Sequence, residues 1–426
     1  MIHSGTTLSV DVITIRTYGG CARRIPCRWR RSMRGHRSAA PRTFGSGRLT
    51  AVLTITALLA AAPAPAAAHP QVAEDIGPTA VRAMDIPGGF ASWAELFTMQ
   101  DRLNVAADAL QALRDTEGTG YAGVTADPAD RAVHLYWKGS VPSAVHSLAR
   151  DQLVPVQIRP ARHTEAELSA LAREAVTEGR LTSAAPRADG SGIVGDSRQV
   201  VTAGVAAAGD EPSNSIATMP PFGGGFQFRN VDAQRSCTLG FTVNYGSNKH
   251  IVSSGQCGDD GDQTTVSYMS HGNIFGTNKA KDLLLVESWR PQNLMYWPRG
   301  TAGRRVHDAY GSHVGNYVCT MREYDEFCDM QVQATGEYVD IGYLIGPLVR
   351  AEKSDGGCVF TTDRLGGPVY TVREDGYSVN ARGTLSAGVL DTVCPIYQGT
   401  VAGSSVIWYV DIMDSLAEYG ATIATS

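Results

Sequence analysis

The chain reads as an all-β domain preceded by a smaller α+β unit, and three features of the sequence carry that reading. From about residue 227 to 426, short alternating apolar runs recur, among them Phe241-Thr242-Val243, Leu283-Leu284-Leu285-Val286 and Val406-Ile407-Trp408-Tyr409-Val410. Gly and Asn punctuate them, which is the pattern of antiparallel strands packed as a sandwich or a pair of barrels. Between about 75 and 180 the apolar spacing is instead helical in part. From about 181 to 226 the composition shifts to Ala, Gly, Ser, Asp and Pro and ends at Pro220-Pro221-Phe222-Gly223-Gly224-Gly225, a linker with room for one strand and a natural place for proteolytic separation.

Each element of the N-terminal unit has a local cause. Ser92-Trp93-Ala94-Glu95 is a capping box, and Leu96, Met99, Leu103, Leu110 and Leu113 follow at helical spacing. Tyr121 to Val124, a turn at Asp127-Pro128 and the alternating Val133, Leu135 and Trp137 predict a hairpin. A short helix after Pro142, a strand through Val154, Val156 and Ile158, and a helix capped by Thr164 and Glu167 complete the unit. No repeat of solenoid type occurs.

The first 68 residues differ from the rest. They hold ten Arg, no Lys and one acidic residue, Asp11; setting them aside leaves 27 basic and 41 acidic residues, a net charge of −14. That surface gives no reason to expect nucleic-acid binding. Leu49 to Ala62 is an apolar run short for a membrane span, followed by Ala64-Pro65-Ala66-Ala67-Ala68. This is a secretory signal with cleavage expected after Ala68 and a natural start expected at Met33. The exported product is then expected to have no membrane anchor. Of eight cysteines, Cys21 and Cys27 fall in this leader, and the remaining six in an exported domain argue for disulfides, with fifteen pairings open on count alone.

Two short segments decide the functional reading. Ser253-Ser254-Gly255-Gln256-Cys257 and Arg364-Leu365-Gly366-Gly367-Pro368 resemble the loops that carry the catalytic histidine, (Thr/Ser)-Ala-Gly-His-Cys, and serine, Gly-Asp-Ser-Gly-Gly-Pro, of chymotrypsin-like serine proteases. Gln256 stands at the histidine and Leu365 at the serine. The resemblance extends to Cys237-Thr238-Leu239-Gly240-Phe241, Val318-Cys319 with Phe327-Cys328, and Trp408-Tyr409-Val410-Asp411-Ile412 leading to Ser415-Leu416-Ala417-Glu418-Tyr419-Gly420. These are similar to the secreted actinobacterial branch made with an alpha-lytic-type pro region. Gly123-Val124-Thr125-Ala126-Asp127-Pro128 and Tyr136-Trp137-Lys138-Gly139 resemble motifs of that pro region. Order and spacing together make the match specific, where each motif alone is weak.

The resemblance implies a division into a leader (1–68), a pro region that assists folding (69–180), a linker (181–226) and a protease-fold domain (227–426) of two six-stranded antiparallel barrels with a cleft between them. It also implies the disulfides Cys237–Cys257, Cys319–Cys328 and Cys358–Cys394. It places the triad carboxylate at Asp282, in Lys281-Asp282-Leu283-Leu284-Leu285, and a peptide-pairing strand at Ser386, Ala387 and Gly388. The alternative for that strand is an ordinary sheet edge.

Protease chemistry needs a nucleophile, an imidazole, a carboxylate and oxyanion donors. A primary amide is not basic at neutral pH, so Gln256 cannot cycle a proton, and Leu365 has no nucleophilic atom. Arg364 and Asp363 stand where the resemblance has Asp and Gly, which damages the oxyanion frame. His250 lies six residues before Gln256, while His271, His307 and His313 are expected on the surface. Asp259-Asp260-Gly261-Asp262 lacks the spacing of a calcium loop, and His307 and His313 lack zinc-ligand companions. The expectation is a secreted, monomeric, catalytically inactive homologue without cofactor or metal, with a peptide or protein ligand for its cleft. The competing expectation is a serine-type endopeptidase acting through another constellation.

Overall fold

The computed structural model describes residues 86–116, 119–201, 221–266, 269–296, 303–322, 325–389, 391–396 and 399–425. The leader, the signal segment with its cleavage point, the first residues of the N-terminal unit and 202–220 of the linker lie outside these. Among the described residues no helix is long and apolar enough to cross a membrane.

The N-terminal unit opens with α1 (Trp93–Gln111) and α2 (Leu113–Thr116). Ser92 Oγ accepts from Glu95 N–H at 3.1 Å, so the cap forms, but Glu95 Oε2 accepts from Ala91 N–H at 2.8 Å and not from the Ser92 N–H that a full capping box would use. β1 (Tyr121–Asp127) and β2 (Ala132–Lys138) form the predicted hairpin. α3 (Ser143–Arg150) crosses over to β3 (Val156–Ala161), which joins β2 in parallel. α4 (Glu165–Thr177) starts at a full capping box of Thr164 and Glu167. Leu103, Leu110, Leu113, Tyr121, Leu135, Trp137 and Val145 are buried together between α1, the sheet and α3, each large side chain contributing about 1.5–3 kcal/mol.

The linker differs from its expectation. Residues 183–201 form β4 (Ser183–Pro186), β5 (Ile193–Asp196) and β6 (Val200–Val201). β4 and β5 pair with each other as a hairpin, while β4 also pairs with β18 and β6 with β21, both far along the chain. A stretch poor in large apolar residues gains its structure from backbone pairing to a preformed sheet, which composition does not register.

The remainder is two closed barrels. After β7 (Phe222–Gly224), the first contains β8 (Gln227–Asn230), β9 (Arg235–Thr238), β10 (Thr242–Tyr245), β11 (Asn248–Ser253), β12 (Gln263–Val266), β13 (Met269–Asn278) and β14 (Leu283–Glu287). β9 and β10 are halves of one bent strand. The first half pairs with β8, Gly240 N–H donates to Val252 C=O at 2.9 Å across the bend, and the second half pairs with β11. The ring then closes through β14, β13 and β12 back to β8, which makes six strands.

β15 (Pro291–Tyr296) and β16 (Gly303–Ala309) lead into the second barrel: β17 (Tyr317–Arg322), β18 (Asp325–Asp340), β19 (Leu344–Lys353), β20 (Pro368–Val372) and β21 (Ser378–Val389). A hairpin follows, β22 (Thr392–Ile396) and β23 (Gly399–Gly403), then β24 (Val406–Asp411), α5 (Ile412–Tyr419) and β25 (Thr422–Ile423). β20-β17-β18-β19-β24-β21 form a ring closed by the β20–β21 pairing, again six strands. The double six-stranded β-barrel expected from the sequence is the fold. One apolar cluster runs through both barrels, from Phe228, Ile251 and Leu284 to Met330, Leu365, Ile407 and Tyr409. α5 packs by Ile412 and Leu416, whereas Met413 is half exposed.

α1 lies on the second barrel by polar contacts. Gln100 Nε2 donates to Tyr317 C=O at 2.9 Å, and Asn380 Nδ2 donates to Asp101 Oδ2 at 2.8 Å. Asp101 also pairs with the fully buried Arg382 of β21. Thr125 of β1 bridges Val314, and Ala126 N–H donates to Val314 C=O at 2.9 Å.

Candidate functional site

The two barrels meet where η-turn residues Gly255–Cys257, the start of β14 and the middle of β21 converge. Asp282 sits just before β14 in the left-handed region, φ +54, which turns its carboxylate back toward the Ser254–Gln256 turn. Four groups donate to it. Ser254 Oγ lies 2.8 Å from Oδ1 and 2.9 Å from Oδ2, Gln256 N–H lies 3.0 Å from Oδ1, Gln256 Nε2 lies 3.1 Å from Oδ2, and Ser386 Oγ makes a further short bond to Oδ2. Burial pushes the Asp282 carboxyl up, and the bonds from Ser386, Ser254 and Gln256 oppose that shift.

Gln256 Nε2 spans the barrels. Besides Asp282 it donates to Ser386 C=O at 2.7 Å, while its Oε1 is buried with no hydrogen-bond partner. The loop is held from outside by Arg235 Nη1, which donates to Gln256 C=O at 2.6 Å. Gln256 and Asp282 are brought together, Ser386, which the resemblance put on a peptide-pairing strand, joins them, and so does Ser254, which sequence reading did not single out. Its hydroxyl stands in the Ser-Ser-Gly-Gln-Cys run where the pattern has alanine, and that departure was its available signal.

Leu365 occupies the second loop. Its carbonyl accepts from Thr238 N–H at 2.8 Å, beside the Cys237–Cys257 disulfide, and its side chain is fully buried in the shared core. Preceding it, Thr362–Arg364 form a 3-10 turn closed by Arg364 N–H to Thr361 C=O at 2.9 Å. Asp363 is fixed by Gln227 Nε2 at 2.8 Å and Thr361 Oγ1 at 2.5 Å. It does not adopt the left-handed conformation a glycine there would permit. Arg364 is buried, its Nε lacking a hydrogen bond.

Gly366 has φ +80, and a Cβ there would stand 1.9 Å from Ser253 Oγ and 2.5 Å from Thr238 C=O. Gly366→Ala is expected to cost at least about 2 kcal/mol, from left-handed strain and overpacking together. A urea midpoint unchanged within error would contradict that packing.

Of Ser386, Ala387 and Gly388, the last does not present a free edge. Ala387 and Gly388 pair with Trp408 and Ile407 of β24 on one side, and Gly388 and Val389 pair antiparallel with Val201 and Val200 of β6 on the other. All three disulfides close with the implied pairings, Cys237–Cys257, Cys319–Cys328 and Cys358–Cys394.

The histidines correct one expectation. His307 is exposed, but His271 and His313 are buried. His271 packs edge-on to Phe222, 4.4 Å between ring centres, and burial holds its imidazole down to about 4, so it is neutral. His313 Nε2 lies 2.8 Å from Asp108 Oδ1 of α1. Surface placement failed for both because their partners, strand β7 and helix α1, come from distant parts of the chain. Neither is hydrogen-bonded to Asp282.

No protein-family model matches the chain, and no curated protein matches it. Solved structures similar to it include Thermobifida fusca protease A, at 19% identity and a TM-score of 0.37, covering 48% of this chain and 98% of that one. Nocardiopsis protease is similar at 18% identity and a TM-score of 0.36, with 48% and 98% covered. Cellulomonas bogoriensis chymotrypsin is similar at 18% identity and a TM-score of 0.37, with the same coverage.

Proposed function

We propose that this chain is a secreted, catalytically inactive protein on the chymotrypsin-like fold, a pseudoprotease whose triad site has become a structural joint between the barrels. The observation that carries the reading is the pair of replacements at the centre. A buried amide stands where a proton-cycling imidazole is needed, and a fully buried aliphatic side chain stands where a hydroxyl is needed. Gln256 Nε2 keeps the bonding of a donor between Asp282 and Ser386 C=O but cannot accept a proton from a nucleophile. Three disulfides fit export to an oxidising compartment.

Endopeptidase action through another constellation has little support. The hydroxyls nearest the carboxylate belong to Ser254 and Ser386, which are both fully buried and both donate to Asp282. Neither has an imidazole within hydrogen-bond reach in this network. An extended peptide pairing at Gly388 would first have to displace β6, so ligand binding at that residue competes with the chain's own residues 200 and 201.

The test is chemical. The purified chain, with trace proteases inhibited, is expected to take no label from fluorophosphonate or peptide chloromethylketone probes and to remain uncut in the 202–220 segment. Stoichiometric labelling, or spontaneous scission in a protease-free preparation, would reject the proposal.

A further inference from the structure

Glu337 in β18 is a fully buried carboxylate for which the site just described has no use. Neither of its oxygens makes a hydrogen bond of good geometry, and Ser183 Oγ and Trp408 Nε1, the polar atoms facing it, lack one as well. Its neighbours come from four elements. Arg350 stands on β19, with Nη2 paired to Glu352 and its guanidinium 5.7 Å from the Trp408 ring centre; Trp408 stands on β24, Ser183 on β4 and Asp196 on β5.

The edge of β18 next to Glu337 is sealed by the hairpin β4–β5. Ala184 pairs with Tyr338 and Ser183 with Val339. Helix α4 backs this contact, with Arg173 5.7 Å from the Tyr338 ring centre and Ala172, Val176 and Ala184 buried together. At the open end of the hairpin, where Asp196 lies opposite Ser183, Arg350 pairs with Asp196 at 3.6 Å and Arg198, just after β5, pairs with Asp391 at 2.9 Å. β4 thus covers the β18 edge at Tyr338 and Val339, the two residues that follow Glu337, and supplies the Ser183 hydroxyl that faces the carboxylate.

We propose that the β4–β5 hairpin is a proton-gated strap, held on β18 while Glu337 carries a proton and loosened when Glu337 ionises. An ionised carboxylate in that position is buried with its one cation, Arg350, already shared with Glu352 and Asp196 and with only the poorly aligned donors of Ser183 and Trp408, whereas a protonated one carries no charge to bury.

The sign follows from linkage. Burial raises the carboxyl of docked Glu337 above its ordinary value, and Arg350, Ser183 and Trp408 oppose this only in part. The docked form therefore holds its proton to higher pH than the released form. Docking is strongest below the ordinary carboxylate range and weakens as pH rises through the raised value. Asp196 runs the other way. Burial pushes it up, but its bonds from Arg198 and the Arg350 charge bring it below its ordinary value, so its ion pairs change only at lower pH, outside that window.

Hydrogen exchange of the full chain between pH 5 and 8, corrected for the intrinsic pH dependence of exchange, reads the strap directly at residues 183–196. Protection is expected to fall by up to about tenfold per pH unit, the limit for one proton. Glu337→Gln is expected to hold protection high and flat across the range. A flat profile in the unmodified chain overturns the proposal, as does an unchanged fall in Glu337→Gln. Should that variant fail to fold, Glu337→Leu replaces it: a flat profile supports the strap and a persisting fall overturns it.

Discussion

Replacing Asp101 by alanine is expected to cost the folded chain about 3–5 kcal/mol, the penalty of leaving a buried charge without its partner. Arg382 is fully buried in β21. It donates from Nη1 to Gly311 C=O at 2.9 Å and pairs with one carboxylate, Asp101 of α1, which Asn380 Nδ2 also holds at 2.8 Å. Desolvation pushes the Asp101 carboxyl up by more than Arg382 and Asn380 bring it down. The pair is thus no strong net stabiliser against a well-packed apolar pair, but its half-removal is severe. Asp101→Leu combined with Arg382→Leu is expected to recover most of the loss. Chemical denaturation read by fluorescence decides it: a single-variant loss under about 1 kcal/mol, or a double variant as weak as the single, would refute the coupling.

That contact also marks where sequence reading stops. The two loop motifs were legible because they are local: Ser254 caps the 3-10 turn Gly255–Cys257, and Gly366 stands where φ is +80 and there is no room for a Cβ. The N-caps at Ser92 and Thr164 were legible for the same reason. Asp101 and Arg382 are 281 residues apart, and nothing in the neighbourhood of either announces the other. Strands β4 to β6 were hidden because Ala, Gly and Ser carry no apolar period; β4 and β6 are ordered by pairing with β18 and β21, and β5 by pairing with β4. His313 fails likewise, since its burial depends on Asp108 across the unit boundary. Periodicity reports which face of an element is apolar and says little about polar contacts between units.

The largest effect is expected from changing Leu365 and Gln256 together. Leu365→Ser with Gln256→His rebuilds the residue types of a triad, yet it is expected to show no hydrolysis above background and to be less stable by about 2–5 kcal/mol, the range for truncating a large buried aliphatic side chain. The loss arises at Leu365, whose side chain lies in the core shared by both barrels, so serine leaves a cavity and buries a hydroxyl there. An imidazole at 256 could take over the bond of Gln256 Nε2 to Asp282, since Ser254 and Ser386 already hold the carboxylate in place. Catalysis would still lack its oxyanion site. Asp363 is locked in a 3-10 turn by Gln227 and Thr361, with a negative charge beside the place where an anion must develop, and Arg364 is buried next to it. Because nucleophile, base and oxyanion donors act as a unit, the gain is expected only when Asp363→Gly and Arg364→Asp are added. Turnover of a chromogenic peptide ester by the two-residue variant alone, at a rate matched by the four-residue variant, would show that Asp363 and Arg364 do not obstruct hydrolysis in this setting.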